Sequence, residues 1–458
     1  MRLFWIRFSP ISLLLGLLFL SASFTPSLLP RGPIPQGLLG GVVMALGYFS
    51  GQIIEALWSA ADMPVLRGRV RRIVLLATGA FVRLSLATAF RSSELWQSDL
   101  RNMMGMEAPT GYHLFTSIAV VALVFALLFA LGVLVAVAFR WIRSRLDRYV
   151  PRRRANVFGV LIVASILWVL TRDGLLDATV AALDEAYEST QLLFGDAPPA
   201  PTEPRFSGSP ASLVDWAAMG QPGRDFVTSG PDAAAIGAFT GRQAKDPIRV
   251  YVGRANAETP QERADLALAE LQRLGAFERK ILIVASPTGT GWMDPGSADP
   301  IEYMHDGDIA TVSVQYSYLQ SPFALMFETE TGLQQATATL AVIHDHWKTL
   351  PEETRPRLFV HGLSLGAWSS MYGTNLFRLV DDPIDGAFWA GPPFPSNFWN
   401  RVQRARNEGS PWVDPVIGDG SFIRYASRGD DGSEDAAPWG DMRIMFLQYP
   451  SDPIVFFD

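Results

Sequence analysis

The residues Gly362-Leu363-Ser364-Leu365-Gly366 put one hydroxyl between two glycines. The apolar run Arg357–His361 precedes them and reads as a strand. Leu365–Val380 follows and reads as a helix. A tight strand-to-helix turn of this kind raises a serine above the sheet edge, where it can act as a nucleophile. Gly362 and Gly366 leave the turn room to close. The alternative is a Gly/Ser turn that merely closes an αβ unit, since the chain holds 39 Gly.

A serine nucleophile needs an acid, a base and donors for the oxyanion. With this elbow, the chain order is Ser, then acid, then His. Asp452 fits the acid, because it follows the apolar run Arg443–Tyr449. It would hold the histidine tautomer and stabilise the imidazolium. An ordinary Asp-Pro turn is the other reading, and Asp414, Asp419 and Asp430 are weaker candidates. One oxyanion donor is the N–H of Leu365. The other should come from the loop Pro287–Trp292, where Thr288 and Gly289 allow close backbone approach. That loop lacks the Gly-Lys-Ser/Thr ending of a phosphate loop.

The base is the gap. The histidines are His113, His305, His344, His346 and His361, and none follows Asp452. The expectation is a partial chain whose catalytic histidine lies past Asp458. Otherwise His361 or His305 is recruited, or Ser364 lacks its base. His361 should point away from Ser364, and His344 and His346 should be partly exposed or line a packing surface. His344 and His346 are also poor metal ligands, because positions i and i+2 of a helix face different sides. No metal and no cofactor is expected.

The elements that must hold these groups begin near residue 211. Short apolar runs at Ile248–Val252, Lys280–Ala285, Ala310–Tyr318, Arg357–His361, Gly386–Ala390 and Arg443–Tyr449 read as buried strands. Helical spacing lies between them at Pro260–Leu274, Phe323–Thr349 and Leu365–Val380. The pattern predicts a mostly parallel sheet with helices on both faces, its C-terminal part missing.

The first part of the 458-residue chain is a different material. Up to Leu175 it carries 18 Arg, no Lys and seven acids, a balance of +11 against −18 for the remainder. Five apolar stretches lie there: Ile11–Phe24, Gly37–Trp58, Ile73–Phe90, Leu114–Phe139 and Ala155–Thr171. Spanning takes about 20 apolar residues. The first stretch reads as an uncleaved helix, with a signal peptide as the alternative. If the N-terminus is cytoplasmic and all five stretches span, 13 of the 18 arginines fall on the cytoplasmic side. Everything past residue 175 then lies outside the cytoplasm. Arg83, inside a stretch, would pack between helices, snorkel, or touch a headgroup. The run from Arg140 to Arg154 reads as a loop on anionic lipid rather than a nucleic-acid site. The domains are therefore 1–175, a five-helix membrane domain; 176–210, a stalk helix and a Pro/Gly/Ser linker; and 211–458, the sheet domain. Zero Cys excludes disulfides and thiol chemistry.

Several segments together carry a resemblance: Ser23–Arg31, Gly289–Pro295, Gln315–Leu319, His361–Gly366, Trp389–Pro393 and Ser451–Val455. The chain resembles bacterial alpha/beta-hydrolase membrane proteins, in which a multi-span N-terminal domain precedes an extracytoplasmic alpha/beta-hydrolase domain. The resemblance implies Ser364 as nucleophile, Asp452 as acid and a histidine beyond Asp458. It leaves the substrates undefined. The expected function is a membrane-anchored esterase or lipase-like hydrolase, its partners membrane lipids and a small-molecule or lipid ester. The alternative is a catalytically impaired module on the same fold, with a scaffold or lipid-binding role.

Overall fold

The computed structural model describes residues 8–25, 31–61, 63–65, 67–103, 113–146, 198–374, 382–427 and 436–456. The chain divides into two compact units, Met1–Arg172 and Asp173–Asp458.

The first unit contains helices α1 (Pro10–Ser23), α2 (Pro33–Ala60), α3 (Gly68–Met103) and α4 (His113–Leu146). Prolines open α1 and α2, where a missing N–H breaks no intrahelical bond. Pro33–Ser59, Gly68–Asn102 and Leu114–Ala138 are each long and apolar enough to cross a membrane. On α3 and α4, Leu76, Leu84, Leu123, Leu127 and Leu134 stand exposed. So much outward apolar surface is compatible with a membrane anchor. Glycines on α2 let its neighbours close in. A Cβ at Gly37 or Gly41 would lie 2.5 or 2.6 Å from the Val120 or Val124 side chain on α4. At Gly47 or Gly51 it would lie 2.7 Å from Phe19 or 2.6 Å from Ser12 on α1. Small residues of this kind permit the tight packing that holds helices together in lipid. The polar groups of α1 and α2 satisfy each other. The hydroxyls of Ser9 and Ser12 donate to Glu55, and Gln52 donates to Ser12 Oγ and Tyr48 Oη at 3.1 and 3.3 Å.

Arg83 is exposed on α3 among the described residues, so the expectation that it packs between helices does not hold there. The fifth apolar stretch, the arginine run past Leu146 and the stalk at Asp173–Leu193 lie outside the described residues.

The second unit alternates strand and helix. After α5 (Gln221–Thr228) and α6 (Ala233–Thr240) come β1 (Ile248–Val252), α7 (Pro260–Arg273), β2 (Ile281–Ser286), α8 (Pro295–Met304) and β3 (Ile309–Val314). Then follow α9 (Ser321–Phe327), α10 (Thr329–Trp347), β4 (Arg357–Leu363), α11 (Leu365–Gly373), β5 (Gly386–Ala390), α12 (Asn397–Arg404), β6 (Ile423–Ala426) and β7 (Arg443–Leu447). The strands form one sheet in the order β1-β3-β2-β4-β5-β7-β6, and every pairing is parallel. Parallel strands need crossovers, which cover both faces. The strands are accordingly mostly apolar, with Val250, Leu282, Val312, Leu358 and Phe446 fully buried. Thr259 and Glu262 form a capping box at the start of α7, satisfying N–H groups that the helix cannot.

Four expectations change. The run Ala310–Tyr318 is a strand only to Val314. Gln315 still donates its N–H to the Val252 carbonyl at 2.9 Å, while its side-chain amide donates to the carbonyls of Thr290 and Ser317, both at 3.0 Å. The pattern at Phe323–Thr349 is two helices, α9 and α10, separated at Glu328. The helix expected to reach Val380 is described only as α11, to Gly373; residues 375–381 lie outside the described residues. The stretch read as a linker, Asp196–Pro210, is packed in its second half. Arg273 donates to the carbonyls of Pro204 and Phe206 at 2.7 and 3.3 Å, and Ser207 and Ser209 are buried.

Candidate active site

Strand β4 lies between β2 and β5, with Gly362 paired to Ser286 and Leu363 paired to Ala390. Ser364 is the next residue. Its φ of 55° and ψ of −121° are far from any comfortable region for a side-chain-bearing residue. Backbone strain of this size costs about 1–3 kcal/mol and must be held by its surroundings. Here the holding contacts are visible. The Ser364 N–H donates to the Ala390 carbonyl at 2.8 Å, and its own carbonyl accepts from Ala367 and Trp368 at 2.9 and 3.2 Å. The flanking glycines are required by space. A Cβ at Gly362 would lie 2.2 Å from the Gly366 carbonyl oxygen. One at Gly366 would lie 2.1 Å from that of Ser286.

Leu365 opens α11, so its N–H has no acceptor within the helix. Its side chain is buried against Leu319 and Ala324, which fixes the turn from the outside. The close approach of Gly366 to Ser286 and Pro287 brings the loop after β2 beside this helix start. In that loop the Thr288 N–H already donates to the Trp292 carbonyl at 3.1 Å. Thr288 is therefore not an available oxyanion donor in this conformation, contrary to expectation. No hydrogen bond among the described residues engages the Gly289 N–H. The loop itself is pinned, because Tyr251 Oη donates to the Gly291 carbonyl at 2.8 Å.

Asp452 follows β7, two strands over from Ser364. One carboxylate oxygen accepts the N–H of Ile454 at 2.9 Å. Burial pushes its pKa up, and the N–H groups of Ile454 and Val455 pull against that. Its other oxygen faces the Cα of Gly391, next to the Ala390 carbonyl that accepts from Ser364. The ends of β4, β5 and β7 thus carry serine and carboxylate on one rim. Ala390 went unremarked in the sequence, though its place at the end of the neighbouring strand was a usable signal. Of the weaker acids, Asp419 is exposed in a turn and accepts from Ser421. Asp430 lies outside the described residues.

The histidines do not complete the arrangement among the described residues. His361 stacks on Phe388 at 5.4 Å and 9°, and its Nδ1 donates to the Phe388 carbonyl at 2.8 Å. Burial lowers its pKa. His305 sits near Arg357 and Lys280, which precede or open β4 and β2, so it is at the opposite end of the strands from Ser364. His305 therefore does not reach the serine, contrary to the alternative raised for it. His344 is buried, donates to the Asp382 carbonyl at 2.9 Å and stacks on Trp347. His346 packs edge-on against Phe277.

Around this rim, Trp292 at the end of the loop after β2 is exposed. Trp399 is buried and donates to Gln448, and Phe398 packs on Trp389 and Phe446. Those two serve the core.

A family model described as "Alpha/beta-hydrolase family" matches residues 248–458, and one described as "Alpha/beta-hydrolase family N-terminus" matches residues 24–231. No curated protein matches the chain. Among solved structures, the chain is similar to one described under the metagenome-derived lipolytic enzymes LipS and LipT. The identity is 14%, covering 39% of this chain and 89% of that one, with a TM-score of 0.20. A likeness at that score carries no argument here.

Proposed function

The chain belongs to an alpha/beta-hydrolase family, and from that premise we propose that it is a membrane-anchored serine hydrolase acting on carboxylic esters. Ser364 is the nucleophile: its Oγ adds to the ester carbonyl carbon and gives up its proton to an imidazole. Asp452 orients that imidazole and stabilises its charge. The N–H groups of Leu365 and Gly289 receive the oxyanion. Collapse of the adduct expels the alcohol, and water then releases the acid. The observation that carries this reading is the strained serine held between two glycines that cannot bear a side chain. The apolar helices of the first unit support anchoring, and the arginine distribution supports an extracytoplasmic hydrolase unit. An anchored site beside a bilayer suits a lipid-like ester.

The test is active-site labelling of the protein expressed from its complete reading frame. A fluorophosphonate should label it and should not label Ser364→Ala. Equal labelling of both ends the proposal. A second reading, an impaired module with a lipid-binding or scaffold role, is favoured by the lack of any described histidine side chain against Ser364. A folded protein that no fluorophosphonate labels would support it.

A further inference from the structure

We infer that Gly391 is a positioning residue, which sets where the Asp452 carboxylate can stand; the inference rests on reading Asp452 as the acid. Gly391 has a φ of +55°, and a Cβ built on it would lie 3.1 Å from Asp452 Oδ2. That is tighter than a carbon normally approaches an oxygen, so the carboxylate would have to retreat by a few tenths of an ångström. Its other oxygen is already fixed by the Ile454 N–H at 2.9 Å, and the Ile454 carbonyl is fixed in turn by the Phe394 N–H at 2.8 Å. The carboxylate is therefore bounded on one side by a hydrogen bond and on the other by bare Cα. The same corner also carries the nucleophile. The Ala390 carbonyl accepts from Ser364, and the Gly391 N–H donates to the Leu447 carbonyl on β7, both at 2.8 Å. One short stretch of backbone thus spaces serine from acid. Orientation of the imidazole depends on that spacing, and small displacements of catalytic groups are costly.

The plain alternative is that glycine is present only because few residues tolerate this φ. Fluorophosphonate labelling rates of the full-length protein separate the two. Four chains are compared: wild type, Gly391→Ala, Asp452→Ala and the double variant. Gly391→Ala should slow labelling about tenfold. Asp452→Ala should slow it more, and the double variant should label no more slowly than Asp452→Ala alone. Multiplying rates in the double variant, or a wild-type rate for Gly391→Ala, overturns the inference. A wild-type rate for Asp452→Ala removes the acid and this inference together. Asparagine tolerates positive φ but still carries a Cβ. Gly391→Asn should therefore be as slow as the alanine chain, and it replaces that chain should alanine prevent folding. A wild-type rate for Gly391→Asn shows that only the backbone angle mattered.

Discussion

The two units bury opposite things. In the second, the sheet encloses its apolar side chains, and residues such as Leu358 see no solvent. In the first, α3 and α4 turn leucines outward, while α1 and α2 turn their hydroxyls, amide and carboxyl toward each other. The sheet unit is held by apolar area taken from water. The helical unit is held by backbones brought close at glycines. The difference teaches that one amino acid can be indispensable in one unit and idle in the other.

The largest expected effect tests the sheet side. Leu358→Ala leaves a cavity in a filled core and should cost about 2–5 kcal/mol. Leu127→Ala, on an outward face of α4, should stay within about 0.5 kcal/mol. Chemical unfolding of both chains in detergent measures the contrast, and equal losses would break it. Next comes the helical side. Gly51→Leu must push α1 away from α2 and should cost about 1–3 kcal/mol. At Gly79 the nearest atom to an added Cβ is 4.0 Å away. Gly79→Leu should therefore leave thermal melting followed by helical circular dichroism almost unchanged. If both variants melt alike, close approach is not what holds these helices.

The smallest effect concerns pH. Burial raises the pKa of Asp452, so the folded protein keeps a proton that the unfolded chain has lost. Stability should fall as pH rises from the ordinary aspartate range, about 4, through the raised value. Asp452→Asn should remove that decline and so gain relative to wild type at neutral pH. Urea midpoints of the two chains against pH measure this. Parallel curves would mean the carboxylate ionises as freely as in water.

The buried strands and the elbow were legible because each leaves a local signature. Ile281–Ala285 is apolar on both faces, and Gly-x-Ser-x-Gly falls at a strand end. What stayed hidden depends on partners far along the chain. Gln315–Tyr318 is as buried as a strand, yet its amide and hydroxyl bond to loop carbonyls and its own backbone, which no periodicity reports. The break at Glu328 opens the polar gap Glu328–Gly332, which helical spacing on both sides conceals. Strand β6, four residues including Arg424 at the sheet edge, has too little pattern to stand out. Thr288 resembled a donor because it is small and well placed. Its N–H is spent four residues on, at Trp292, which only the shape of the turn decides.

The glycine face of α2 bears on the fate of the chain's beginning. Without Ser9–Ser23, α2 would present a trench floored by naked main chain at Gly47 and Gly51. At its end would stand a glutamate deprived of both serines that neutralise its demand. Hydrocarbon cannot fill such a groove as neatly as Phe19 and Ser12 do, nor answer that acid. Pro10–Ser23 fills that trench, and with Ser9 it answers that acid.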